Sequence, residues 1–111
     1  MKVCITAKGT TLDAKVEERF GRSPYFIIVD SETGSFEAVT NSFAAGAGGV
    51  GPKAAQLIID HKAGALISGL MGGNAKSVLD SAGIVQYIYR GNGSVSNALD
   101  AFRANTLEKV Q

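Results

Sequence analysis

Hydrophobic and polar positions alternate like strands in the first forty residues, then switch to helical spacing broken by short apolar runs. In Lys2–Ala7, Val3 and Ile5 share one face and Cys4 and Thr6 the other, as in a strand buried on both sides. Lys8–Asp13 reads as a loop, and Val16–Phe20 as a short helical turn stopped by Gly21 and Pro24. Tyr25–Val29 is aromatic and β-branched without a polar break, the strongest strand signal in the chain. Asp30–Gly34 then forms a hairpin loop with Gly34 at a positive-φ position, and Ser35–Thr40 returns as a strand with one face in solvent.

The period changes after Asn41. Ala54, Ala55, Leu57, Ile58 and Ile59 make the buried stripe of a helix that opens at Pro52 and runs to about Lys62, with Gly64 as its stop. Ala65–Ser68 is a short buried strand. A second helix carries Val78, Leu79 and Ala82 and ends at Gly83, and Ile84–Tyr89 is a further strand. Ser94 suits an N-cap for a third helix with Val95, Ala98, Leu99 and Phe102 inward, and Glu108–Gln111 reads as a frayed tail.

A hairpin half followed by strand–helix repeats predicts an α/β fold: one domain over residues 1–111, three layers α/β/α, with a mixed five-stranded sheet. The second strand runs against the first and third, so strands one, three, four and five end on one edge. Lys8–Asp13, Asn41–Gly51, Gly69–Gly73 and Gly91–Gly93 gather there, with Arg19–Arg22 entering strand two. Open α/β sheets bind ligands at that edge. Three helix N-termini and the side chains of Lys8, Arg19, Arg22 and Lys53 are expected to converge on an anion-attracting rim.

The densest feature of that rim is the glycine loop. Gly46, Gly48, Gly49 and Gly51 let backbone N–H groups turn toward one point, and the loop empties into a helix start, a natural anion cradle. Gly46–Gly51 spells G-x-G-x-x-G, yet it does not follow its strand directly, and Ala65–Ser68 offers no acid for a ribose. A phosphate-binding lysine loop also fails, because Pro52 precedes Lys53 and Ala54 replaces the metal-binding hydroxyl.

Composition narrows the chemistry further. A net charge of +1 with no basic stripe, no Trp and 7% aromatic residues gives no case for nucleic acid. No apolar run approaches a membrane span or a signal peptide, so the expected setting is cytoplasmic. One Cys and one His make neither an internal disulfide nor a Cys/His zinc site. Cys4 reads as a core thiol and His61 as a helix-end residue, while Met71 can offer a thioether to a soft metal. No general base stands out, so an enzyme is the weakest class. The element order is that of the ribonuclease H-like fold, but the first strand lacks the carboxylate that two-metal nucleases need.

Several segments together carry a resemblance. They are Arg19-Phe20-Gly21-Arg22-Ser23-Pro24-Tyr25-Phe26, Asn41, Gly51-Pro52-Lys53-Ala54-Ala55-Gln56, Gly69-Leu70-Met71-Gly72-Gly73-Asn74-Ala75 and Ala82-Gly83-Ile84. With these, nearly the whole chain resembles the dinitrogenase iron–molybdenum cofactor biosynthesis family, the NifX/NifB C-terminal-like and orange-protein-like small domains. The resemblance implies a ribonuclease H-like domain that binds or carries an iron–molybdenum or other molybdenum or iron–sulfur cluster. Some small members hold a molybdenum–copper sulfide cluster without covalent bonds. It also implies cluster donor and acceptor proteins as partners, no nucleic acid or membrane, and a monomer or homodimer.

The expected site residues are Gly46, Gly48, Gly49, Gly51, Gly72, Gly73 and Asn74 for the cradle, Arg19, Arg22 and Lys53 for charge, and Met71 for a soft contact. Many family members carry His after the Asn, and here Ala44–Gly49 has no His or Cys. Where such proteins often have Gly-Pro-Asn, this chain has Gly72-Gly73-Asn74. Hydrogen-bonded holding is therefore expected in place of covalent ligation from the loop. The alternatives are a regulatory module for an organic or phosphate anion, or a protein-interaction module.

Overall fold

The computed structural model describes residues 1–46, 48–69 and 73–110. Its elements are β1 (Lys2–Ala7), β2 (Tyr25–Asp30), β3 (Phe36–Thr40), α1 (Val50–Asp60), β4 (Ala65–Ser68), α2 (Gly73–Ser81), β5 (Val85–Ile88), α3 (Val95–Arg103) and β6 (Glu108–Lys109). One mixed sheet runs in the order β3-β2-β1-β4-β5-β6. β1 is antiparallel to β2 and parallel to β4, with Cys4 opposite both Ile28 and Leu66.

Two cores result, one on each face of β1. Cys4, Phe26, Ile28 and Leu66 pack against Ala54, Ala55 and Ile58 of α1 and Ala75 and Leu79 of α2. Val3, Ile5, Ile27, Val29 and Ile67 pack against Val95, Ala98 and Leu99 of α3. The strand periodicity of β1 therefore does what its residues dictate, feeding alternate side chains to opposite layers. Cys4 is fully buried, and burial pushes its thiol well above the ordinary range, so it packs as a small hydrophobe.

Three expectations need correction. The sheet has six strands where five were expected, because the supposed frayed tail forms β6: Tyr87 pairs with Lys109, and Val110 N–H donates to the Gln86 carbonyl at 2.8 Å. Val16–Phe20 is no helical turn. Val16 bridges Ala7, and Glu17 N–H donates to the Thr6 carbonyl at 3.1 Å, so the segment's backbone is spent on the end of β1. Finally, α1 starts at Val50, and its stop is not Gly64.

The stop is Lys62. Ala63 N–H reaches the Ile58 carbonyl and Lys62 N–H the Ile59 carbonyl, the paired bonds of a Schellman end, and Lys62 holds φ 63°. The same pattern closes α2 through Gly83 at φ 75° and α3 through Asn105 at φ 58°. Glycine and asparagine accept that conformation; an exposed lysine does so at a cost. Lys62→Gly is expected to raise stability by about 0.5–1 kcal/mol, the left-handed penalty less glycine's extra chain entropy. A urea midpoint no higher than that of the parent protein would show that the end is not strained.

Candidate functional site

The carboxyl ends of β1, β3, β4 and β5 share one edge, and the segment that follows β3 is built by two reciprocal ties. Asn41 is buried, and its amide Nδ2 donates to the carbonyls of Gly21 at 3.1 Å and Ser23 at 2.8 Å. Its Oδ1 accepts from Phe43 N–H at 3.2 Å, an Asx turn that starts the loop. In return, one terminal nitrogen of Arg22 donates to the carbonyls of Ala44 and Gly46, both at 2.8 Å. Residues 21–23 and 41–46 thus hold each other. Ser23 anchors the first of them to the sheet, since its hydroxyl accepts from Ala7 N–H and donates to the Tyr25 carbonyl.

Beyond the strap the loop enters α1. Gly49 is the N-cap at φ 66°, a left-handed position that favours glycine, and no side chain caps the helix. Gly21 and Gly51 are glycines for packing. A β-carbon on Gly21 would lie 3.1 Å from the Gly51 nitrogen, and one on Gly51 would lie 3.2 Å from the Ala75 β-carbon. The Gly51 contact brings the first turns of α1 and α2 side by side, so two helix N-termini face the same edge. Neither helix has an acidic residue in its first turn to balance its positive pole.

Gly48, Gly49 and Gly73 are different. Among the described residues, no atom beyond their chain neighbours lies within 4 Å of a β-carbon built on any of them, so the packing of those residues does not need their space. They leave bare backbone beside the paired helix ends, where N–H groups suit an anion. Lys53, in the first turn of α1, sets its ammonium 5.8 Å from the centre of the Phe43 ring. Asn74 is exposed in the first turn of α2.

Not every expected member joins this cluster. Arg19 pairs loosely with Glu17 at 3.7 Å and accompanies the end of β1. Lys8 is exposed, and its backbone N–H bonds the Lys15 carbonyl. The N-terminus of α3 is already used. Val95 and Ser96 N–H donate to the carbonyls of Ala14 and Leu12, and Asn97 N–H donates to Ser94 Oγ in a capping box. It also lies on the opposite face of the sheet from α1 and α2, so two of the three expected helix ends come together. Met71 and Gly72 lie outside the described residues. Among the described residues no group of three or more His, Cys, Asp or Glu gathers to hold a metal ion.

A cleft that the sequence reading missed opens farther along the edge. It measures about 210 Å³ and is lined by Glu18, Gly69, Tyr89, Arg90 and Gly91, between the ends of β4 and β5. The chain leaves β4 toward α2 and leaves β5 toward α3 on the other face, the arrangement that opens a crevice in α/β sheets. Gly69, directly after β4, and Gly91, three residues beyond the end of β5, were the available signal.

Comparison with known proteins follows the same lines. The family profile described as dinitrogenase iron-molybdenum cofactor matches residues 1–105. No curated protein matches the sequence. The apo form of the orange protein from Desulfovibrio gigas is similar at 32% identity and a TM-score of 0.94, covering 98% of this chain and 92% of that one. A candidate NifB protein from Thermotoga, of the DUF35 family, is 39% identical with a TM-score of 0.86, covering 97% of this chain and 91% of that one. A candidate dinitrogenase from Methanocaldococcus jannaschii shares the fold, at 20% identity and a TM-score of 0.73, covering 100% of this chain and 95% of that one.

Proposed function

The chain belongs to the dinitrogenase iron–molybdenum cofactor family, and from that premise we propose that it carries an anionic metal–sulfur cluster without catalysing a reaction on it. The cargo is of the iron/molybdenum type, with a molybdenum–copper sulfide as its small-protein form. One observation carries the reading: two helix N-termini packed through Gly51 and Ala75 open beside three glycines whose side-chain space no other described residue fills. Thiometallates and metal–sulfide clusters are anions whose sulfides accept hydrogen bonds. Backbone N–H groups around Gly48, Gly49 and Gly73 would hold them, with Gly46, Gly51 and Asn74 shaping the walls and Lys53 adding positive potential.

The loop sequence Ala44–Gly49 offers neither His nor Cys as a ligand, which supports hydrogen-bonded holding over direct ligation from the loop. A cargo held that way can be handed on, which suits a place between donor and acceptor proteins in the cytoplasm. We read residues 1–111 as one domain with a ribonuclease H-like order of elements, to which β6 is added at the sheet edge. No helix among the described residues is long and apolar enough to cross a membrane.

The test is anaerobic incubation with tetrathiomolybdate, alone and with iron or copper, followed by desalting, absorption spectroscopy and metal analysis. Charge-transfer bands that survive desalting are expected. Gly48→Val and Gly73→Val place side chains in the open space and should fold as before yet lose at least about tenfold in affinity, the equivalent of about 1.4 kcal/mol. A colourless, metal-free protein overturns the carrier reading. Thermal stabilisation by phosphate or nucleotides without metal would then identify an organic or phosphate anion as the ligand.

A further inference from the structure

We infer that Arg22 is a positioning residue, which shapes the glycine loop from behind and does not serve as the charge partner of what the loop binds. The inference rests on the carrier reading of that loop and assigns one of its cations a different task. Arg22 is exposed, so nothing in the core requires an arginine here. Its guanidinium nevertheless spends both hydrogens of one nitrogen on two loop carbonyls, Ala44 and Gly46, each at 2.8 Å. Such short, charge-assisted bonds are the strong kind.

The geometry sets the direction of the peptides. In a trans peptide the carbonyl and the following N–H point opposite ways, so a carbonyl drawn to Arg22 turns its partner N–H away from it. Holding the Ala44 carbonyl on the Arg22 side therefore turns the Ala45 N–H to the other side, the direction an anion cradle requires, and the bond to the Gly46 carbonyl fixes where the loop goes on toward Gly48. An unstrapped loop rich in glycine would sample many conformations, and a ligand would have to order it on binding. The strap does that ordering in advance. Asn41 supplies the opposite tie, from the loop back to Gly21 and Ser23, so Arg22 pulls on a segment that is itself fixed. Lys53, on α1 and over the Phe43 ring, is the cation left to meet ligand charge.

Two replacements separate position from charge. Arg22→Gln removes both the charge and the reach, whereas citrulline incorporated at position 22 keeps a terminal NH₂ of nearly the same reach and removes the charge. Amide hydrogen exchange at Ala44–Gly46 and tetrathiomolybdate affinity are measured on each, with melting temperature as the control for folding. Gln is expected to speed exchange and weaken binding by about tenfold, the worth of two hydrogen bonds at about 0.7 kcal/mol each. Citrulline is expected to keep both within about threefold of the parent protein. The melting temperature of Arg22→Gln should fall by several degrees at most, the loss of two surface hydrogen bonds, with unfolding still cooperative.

Citrulline that weakens binding as much as Gln, with exchange unchanged, overturns the inference and makes Arg22 a charge partner. Exchange unchanged in Arg22→Gln overturns it outright, whether or not tetrathiomolybdate binds. Failure of the parent protein to bind tetrathiomolybdate overturns the carrier reading, and the exchange data still decide whether Arg22 holds the loop.

Discussion

Asn41→Asp is expected to cost more stability than Asn41→Ala, and lowering the pH is expected to return part of the loss. The Asn41 side chain is buried and donates to two backbone carbonyls, at 3.1 and 2.8 Å. Alanine removes both bonds and the one accepted from Phe43, leaving buried carbonyls short of partners, a loss of about 2–3 kcal/mol. Aspartate has the same shape, but at neutral pH it aims a negative charge at those two carbonyls. A buried charge without a partner costs about 3–5 kcal/mol. The folded state then favours the neutral carboxyl, so its folded pKa rises above the unfolded value. Stability is accordingly regained as pH falls through the folded pKa, when an O–H can donate to one carbonyl. Urea midpoints of the parent protein and both variants between pH 4 and 8 test this. An aspartate variant as stable as the parent at pH 7, or one that gains stability as pH rises, would remove Asn41 Nδ2 as the anchor of the loop.

The second large effect is expected at Gly69. A β-carbon there would sit 2.7 Å from the Glu18 carbonyl oxygen and 2.8 Å from the Glu18 Cα, and backbone does not swing aside as a side chain does. Gly69→Ala should therefore push Glu18 away from the end of β4 and lose about 1–3 kcal/mol, as overpacked sites do. Gly48→Ala is the control. Its β-carbon meets no atom of the other described residues within 4 Å, and its expected change stays within about 0.5 kcal/mol. Equal melting temperatures for Gly69→Ala and the parent would mean that the Glu18 segment is free to retreat, and that the cleft it lines is soft.

Most of the fold is legible in the residues because buried pattern and backbone conformation agree. Lys2–Ala7 and Ala65–Ser68 are apolar on both faces, and both strands occur where those runs lie. Gly34, Gly83 and Ser94 sit at the turn, helix end and helix cap that their chemistry predicts. Where side chains do not face the core, the sequence is silent. Glu108 and Lys109 are exposed, so nothing in their periodicity distinguishes a paired edge strand from a loose tail. Lys62 takes a left-handed position that the residue type disfavours, so the eye moves on to Gly64. That glycine faces Met1 instead, 3.2 Å from a built β-carbon.

The candidate site is legible as a place but not as an arrangement. Glycine density and a helix start mark the loop, yet they do not separate Gly51, needed for close helix packing, from Gly48 and Gly73, which the fold leaves open. Nor does a count of cations show that Arg22 reaches back to its own chain while Arg19 stays with Glu17. The Gly51 and Arg22 contacts join residues more than twenty apart in sequence, which no local pattern encodes.

The position of β1 in the sheet has a consequence during synthesis. Its partner on one side, β2, follows within the first thirty residues, whereas its partner on the other side, β4, spans Ala65–Ser68. A nascent chain that has emerged only as far as Asn41 can complete the β1-β2-β3 meander, but β1 still shows a bare edge and two uncovered apolar faces. The segment made next is the glycine loop and α1, which lays Ala54, Ala55 and Ile58 over one of those faces before β4 closes the edge. The other face waits for α3, which is made only after β4 and β5.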